Sequence, residues 1–266
     1  MAFMTLKTKI NFVRHALLSP AKKMLDAGLD ILVPPACPLC AAVLDGDDGL
    51  CAPCWQELNF IAAPICHISG APLKVDLGPE TLSLAVQKNP PPYDKARAAF
   101  HYGGSAAALV KRMKFSDRPE LALLLAPFLV RAGKDVLRAN AILVPVPLHR
   151  RRLFGRRFNQ AAELCRAMAR ETGNEISFQA VKRVKATRPQ IGLTRRKRKS
   201  NLKGAFKVSP SASESIQGRS LILVDDVLTT GATVEAMSET LRQAGAGRIY
   251  VLTLARVVRP EQMRIG

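Results

Sequence analysis

The stretch Leu221-Ile-Leu-Val-Asp225-Asp226-Val-Leu-Thr229-Thr230-Gly231-Ala232-Thr233 decides the fold of this 266-residue chain. Its first four residues are aliphatic, a run that predicts a strand buried on both faces. Two adjacent carboxylates follow, then a loop of small residues, then a helical pattern over 233–244 that Gly245 and Gly247 close. In open α/β sheets a ligand sits outside the carboxyl ends of the strands. Thr, Gly and Ala leave the loop backbone open. Its N–H groups, its hydroxyls and the positive end of the helix can therefore face one phosphate. Asp225 and Asp226 beside a phosphate would repel it unless they accept hydrogen bonds from sugar hydroxyls, directly or through Mg2+. The alternative, a Thr-capped helix start, needs one hydroxyl and no acidic pair.

Outward from this stretch the pattern repeats its alternation. Residues 141–147 (AILVPVP) and 249–256 (IYVLTLAR) read as buried strands, and 97–102 (RAAFHY) as a shorter one. Helical patterns fall at 105–115, 120–132 and 157–171, the last with apolar residues at 158, 161, 164, 165 and 168. Strands alternating with helices predict an α/β fold: a parallel sheet with helices on both faces. No internal repeat is legible.

Six cysteines stand at 37, 40, 51, 54, 66 and 165. Cys37-Pro-Leu-Cys40 and Cys51-Ala-Pro-Cys54 are two CxxC turns ten residues apart. With no export signal at the N-terminus this pattern reads as metal binding rather than disulfides. Four thiolates complete a tetrahedral Zn2+ site with Zn–S near about 2.3 Å and leave no open position, so the expected role is structural. The prolines around it, with too small a core to fold unaided, fit that reading. Pro90-Pro91-Pro92 makes a stiff spacer and is the expected domain boundary. Cys165 lies on an apolar helical stripe and reads as core.

Charge divides the chain differently. The 40 Lys/Arg and 21 Asp/Glu give +19 and a pI near 10.2. Residues 1–100 hold 9 of each sign, so the whole excess follows residue 100, and 150–203 carries 17 basic against 3 acidic residues. That region should attract polyanions. No apolar run approaches the roughly 20 residues of a bilayer span, so the chain is expected to be cytoplasmic. Aromatics at 5% argue against single-strand binding by rows of stacked rings.

The thirteen residues 221–233 resemble the signature for 5-phosphoribosyl diphosphate (PRPP) in phosphoribosyltransferases, and specifically the ComF family. The resemblance spans about 30–258. It implies a type I phosphoribosyltransferase-like parallel sheet over 93–266, a small zinc-ribbon domain over 34–92 and an N-terminal helical extension over 1–33. By it, Asp225 and Asp226 are the catalytic pair and hold the ribose 2′- and 3′-hydroxyls. Thr229, Thr230, Gly231, Ala232 and Thr233 bind the 5′-phosphate. Arg152, Arg156, Asn159 and Gln160 resemble the pyrophosphate segment, although Arg157 stands where many members have Gly. Arg195 and Arg196 belong to a basic stretch where this class keeps a mobile loop, and a solvated charge run is the alternative there. The implied cofactors are structural Zn2+, and Mg2+ with PRPP. Many members carry a second four-cysteine site, expected at Cys66, Ser69, Ser83 and Val86, where only Cys66 is a good ligand. Some purine enzymes of the superfamily have Asp where Thr229 stands, so purine salvage is not expected and the acceptor stays unidentified. The family is linked to DNA uptake with a helicase-like partner. That implies a second reading, an adaptor that binds single-stranded DNA without catalysis.

Overall fold

The aliphatic runs become strands and the amphipathic stretches become helices, in the expected order. The computed structural model describes residues 35–44, 49–115, 118–148, 158–185, 202, 204–258 and 263–264. The elements are α1 (Ala52–Gln56), α2 (Leu84–Lys88), β1 (Lys95–His101), α3 (Gly104–Phe115), α4 (Leu121–Ala132), β2 (Ile142–Pro145), α5 (Gln160–Thr172), β3 (Val181–Arg183), β4 (Phe206–Val208), α6 (Pro210–Ile216), β5 (Leu221–Leu228), α7 (Ala232–Gln243) and β6 (Ile249–Arg256). β1, β6, β5 and β2 form one parallel sheet in that spatial order, while β3 and β4 pair antiparallel. The fold class is as expected, an α/β parallel sheet flanked by helices.

Side-chain alternation explains the layers. Ile142, Val144, Leu221, Leu223, Ile249 and Val251 share one core with Val234, Met237 and Leu241 of α7 and Ile216 of α6. The residues between them are equally buried: Leu143, Ile222 and Leu252 have no exposed surface. On their face, a Cβ on Gly133 just after α4 would lie 2.6 Å from Leu252. Every residue of β6 is buried, as a central strand covered twice must be.

Both sheet edges are covered, which removes a template for pairing with other chains. Beside β1, Phe60 bridges Phe100, Ile61 N–H donates to the Ala99 carbonyl at 2.9 Å, and His101 N–H donates to Asn59 O at 2.8 Å. Trp55, Phe60, Phe100 and Phe128 stack there, with ring centroids 5.0–5.9 Å apart. Beside β2, Leu143 exchanges backbone bonds with Glu175 and Ser177. Arg97 adds a two-pronged ion pair to Asp135, at 3.1 and 2.6 Å, and donates to His67 O at 3.0 Å.

The compact units are 1–54 and 55–266. Within the larger unit, residues 59–61 and Ile68 pair with β1 through backbone bonds. Ala96 N–H, for example, donates to Ile68 O at 2.7 Å.

The structure also contains a repeat that the sequence hides. In the first unit, Cys37 N–H donates to Ala42 O, Ala41 N–H to Cys37 O and Leu44 N–H to Pro35 O, at 2.8, 2.9 and 2.8 Å. In the second, Cys66 N–H donates to Ala71 O, Gly70 N–H to Cys66 O and Leu73 N–H to Pro64 O, at 2.7, 2.8 and 2.8 Å. Ala41 and Gly70 occupy the same left-handed position, with φ of 61° and 65°. Each turn is followed by a short helix, α1 or α2. These are two copies of one ribbon.

Gly70 also carries close packing. A Cβ there would lie 2.2 Å from the Ala96 carbonyl oxygen, against backbone of β1. Gly70→Ala should therefore cost about 3 kcal/mol, from left-handed strain and overpacking together. That lowers Tm by roughly 6–12 °C. A thermal melt within about 1 °C of wild type would show that the contact yields freely.

Candidate functional site

β5 is buried through Val224 and opens at Asp225, Asp226 and Val227. The burial follows from its central place, and the opening from the end of β2 at Pro145, which pairs with Val224. Both carboxylates thus reach the carboxyl end of the sheet. Asp226 N–H donates to Asp225 Oδ1 at 2.9 Å. Lys114 Nζ, from the last turn of α3, stands 2.9 Å from Asp226 Oδ1, and both side chains are largely buried. Burial, and then the charge of Asp226, push the Asp225 carboxyl up from 3.8 to about 7. The Asp226 N–H, Lys114 and Arg183 pull the other way. The site therefore holds two adjacent carboxylates, one of them paired with Lys114, at the open end of a strand, a fit for hydroxyl donors or for a cation.

The loop turns at Gly231, whose φ of 82° favours glycine. A Cβ there would also come within 3.1 Å of Glu235 Oε1. Gly231 is the N-cap of α7 and no side chain caps that helix. The first-turn amides of α7 lack intrahelical acceptors and carry the positive end of its dipole. Ala232 and Thr233 open the helix, directly behind Thr229 and Thr230. The stretch thus brings Asp225, Asp226 and the 229–233 loop to one end of one strand.

The segment expected to bind pyrophosphate is described in part. Asn159 Oδ1 accepts from Ala161 N–H at 3.1 Å and so caps α5, while its Nδ2 donates to Val146 O at 3.1 Å. Gln160 is buried at the start of that helix. The cap explains why α5 begins at Gln160 rather than at 157. Arg152, Arg156, Arg195 and Arg196 lie outside the described residues. Lys114 and Arg183 are the functional neighbours the sequence reading did not assign. Lys114 lies more than a hundred residues from Asp226 with no spacing that ties the two, and the three-residue β3 that carries Arg183 has no periodic signal.

The four Sγ atoms of Cys37, Cys40, Cys51 and Cys54 lie within 4.8 Å of one another, with Cys40 and Cys51 at 3.4 Å. A tetrahedral zinc site puts its sulfurs about 3.8 Å apart, so this donor set fits structural zinc. Among the described residues it is the one group of three or more ligand types so close together. The second copy is different. Cys66 Sγ accepts from Ser83 N–H at 3.3 Å, and Cys66, Ala71, Leu73 and Val86 form a small apolar cluster with Ile68 and Leu82. His67 Nδ1 pairs with Pro79 O at 3.0 Å. One thiol, two hydroxyls and a hydrocarbon do not make a zinc site, and packing holds this copy instead. Cys165 is fully buried, and burial pushes its thiol pKa up.

Sequence comparison agrees with this anatomy. A double zinc ribbon domain model matches residues 28–84, and a phosphoribosyl transferase domain model matches residues 161–263. The DNA utilization protein YhgH of Escherichia coli K12 is 32% identical over 236 residues, 86% of this chain and 100% of the relative. The chain belongs to the ComF/YhgH family. Competence protein F of Haemophilus influenzae is 34% identical over 214 residues, 79% of this chain and 91% of that one. Among solved structures, the glutamine PRPP amidotransferase of B. subtilis aligns at 18% identity over 52% of this chain and 26% of its own, with a TM-score of 0.33. In the ComF/YhgH chain the ribbon match covers the cysteine cluster, and the phosphoribosyl transferase match covers β5 and β6 of the sheet with the loop between them. Among the described residues no helix is long and apolar enough to cross a membrane.

Proposed function

We propose that the chain binds PRPP at Asp225–Thr233 and transfers its 5-phosphoribosyl group to an acceptor. The observation that carries this reading is the half-buried pair of adjacent carboxylates at the open carboxyl end of β5, one of them held by Lys114, beside a glycine-capped helix start. Asp225 and Asp226 receive the ribose hydroxyls, and the 229–233 loop receives the 5′-phosphate. The same carboxylates are the residues that would hold Mg2+, which supplies charge neutralisation for the diphosphate when bound. Lys114 neutralises Asp226 in the free protein and gives way, or shifts, as ligand enters.

The transfer balances without a co-reactant. The bond from ribose C1 to a pyrophosphate oxygen breaks with its electron pair on pyrophosphate. An acceptor lone pair forms the new bond to C1, and the acceptor's proton passes to solvent. Positioning and electrostatics carry the step, because C1 becomes cation-like without a covalent enzyme intermediate. Incubation of the full chain with PRPP, Mg2+ and a panel of nitrogen acceptors should release pyrophosphate with at least one of them. Absence of both release and PRPP binding would remove the reading.

A second reading rests on the names of the relatives and on the basic surplus over 150–203: a role in DNA uptake through direct contact with single strands. Binding of a single-stranded oligonucleotide should then weaken steeply with salt, about 300-fold between 50 and 200 mM for six phosphate contacts. Replacing Arg195, Arg196, Lys197, Arg198 and Lys199 by Gln should flatten the slope. A salt-independent affinity, or no affinity, counts against it.

A further inference from the structure

The metal-free ribbon copy faces something. A cavity of about 150 Å3 lies between it and the PRPP loop, with Ser83, Val86, Tyr93, Thr230, Glu235 and Arg256 among its walls. Arg256 ends β6, directly beside Leu228 in the register, and Thr229, Thr230 and Gly231 of the following turn form part of the cavity wall. Arg256 is 4% exposed. Its Nη1 donates to the Ser69 carbonyl, and its Nε has no hydrogen-bond partner. No carboxylate pairs with it among the described residues. Ser83, 1% exposed, likewise has an Oγ without a partner. Burial lowers the guanidinium pKa, as expected of a charge short of its counter-ion. Tyr93 and Cys66 offset part of that burial, but a buried guanidinium without a carboxylate is costly, and the Nε donor left unmade adds to that cost. Two orphaned groups in one wall, next to the 229–231 turn, point to an occupant that completes both.

Size, shape and charge narrow the occupant. The volume matches one benzene ring, and the cavity is open on one side. Val86, Pro91, Tyr93 and Leu228 give it an apolar side, which a bare phosphate would waste. Glu235 supplies a negative wall, so a dianion is disfavoured against a monoanion. The Nε edge of a guanidinium is the edge that matches a carboxylate.

We propose that the second ribbon, having lost its metal, forms the acceptor pocket, and that it takes a monocyclic carboxylate held by Arg256 and Ser83. This rests on the phosphoribosyl-transfer reading for the word acceptor, but not for the pocket itself.

The test uses benzoate, its neutral isostere benzamide, and inorganic phosphate, titrated into the full chain by calorimetry and ligand-observed NMR. Benzoate should bind saturably and benzamide at least 10-fold more weakly. Arg256→Leu should lose benzoate binding at least 10-fold. Because Arg256→Leu could fail to fold, Ser83→Val serves beside it. It keeps the backbone N–H bonded to Cys66, removes the hydroxyl and fills part of the cavity, so benzoate binding should fall while the melt is retained. Asp225→Asn should leave benzoate binding unchanged, which separates failure of the pocket from failure of the PRPP site. Equal binding of benzoate and benzamide, benzoate binding untouched by both Arg256→Leu and Ser83→Val, or displacement of benzoate by phosphate with PRPP competing for the same place, would each overturn the proposal.

Discussion

Asp225→Asn abolishes PRPP-dependent pyrophosphate release and, at the same time, makes the free protein more stable at pH 8. The two effects come from one cause. Asp225 is buried beside Asp226, and its carboxyl is pushed up to about 7. A group raised in the folded state binds its proton more tightly there than in the unfolded chain. Wild-type stability therefore falls as pH rises from about 4 through 7. Asn carries no charge and removes that fall. A shift of this size corresponds to a ceiling of about 4 kcal/mol, and coupling to Lys114 and Asp226 reduces it to about 1–3 kcal/mol. In thermal terms the variant should melt several degrees above wild type at pH 8 and close to it at pH 5. Asp226→Asn is the control. It leaves Lys114 without its 2.9 Å partner, so it should lose activity without gaining stability. Turnover by Asp225→Asn at wild-type rate, or a pH-independent melting difference, would show that the acidic pair is an ordinary structural feature.

Chelation removes one zinc per chain and unfolds the first ribbon while the larger unit survives. Between residues 35 and 54 the only buried apolar side chains described are Cys37 and Pro38. That is no core, and structural zinc in small domains contributes about 10–16 kcal/mol in its place. Cys40→Ser should do the same as chelator. Limited proteolysis should then cut within 35–54 at least 10-fold faster, with the main melting transition of 55–266 retained. Metal analysis decides the second copy as well. Two zincs per chain would contradict a metal-free ribbon at Cys66, Ser69, Ser83 and Val86, and unchanged protease resistance after metal loss would contradict the staple.

Three of the four sheet strands were legible as aliphatic runs, and β1 as a shorter mixed one. Ile249–Arg256 falls where the run places it, and β5 continues past its aliphatic start through the carboxylates to Leu228. The helix ends at Asn159 and Gly173 follow from cap chemistry, an Asx side chain on an amide and a left-handed glycine at φ 74°. The β3–β4 pair and α6 were not legible: three-residue strands and a seven-residue helix are too short to show a period. The second ribbon copy was placed only through the family resemblance. It is conserved in backbone hydrogen bonds, while Ser69, Ser83 and Val86 replaced the thiols that would have announced it. Within the candidate site, the carboxylates and the small-residue loop stand in one contiguous stretch and could be read directly. Lys114, Arg183 and Arg256 come from other elements, and only the fold brings their charges to the acidic pair and the cavity.

The most direct test of the PRPP site is a calorimetric titration of the full chain with PRPP and Mg2+, without any acceptor, alongside Asp225→Asn and Asp226→Asn. Saturable binding of one PRPP per chain, lost in both variants, is the predicted result. No heat of binding to the folded wild type, or equal binding by all three proteins, would contradict it.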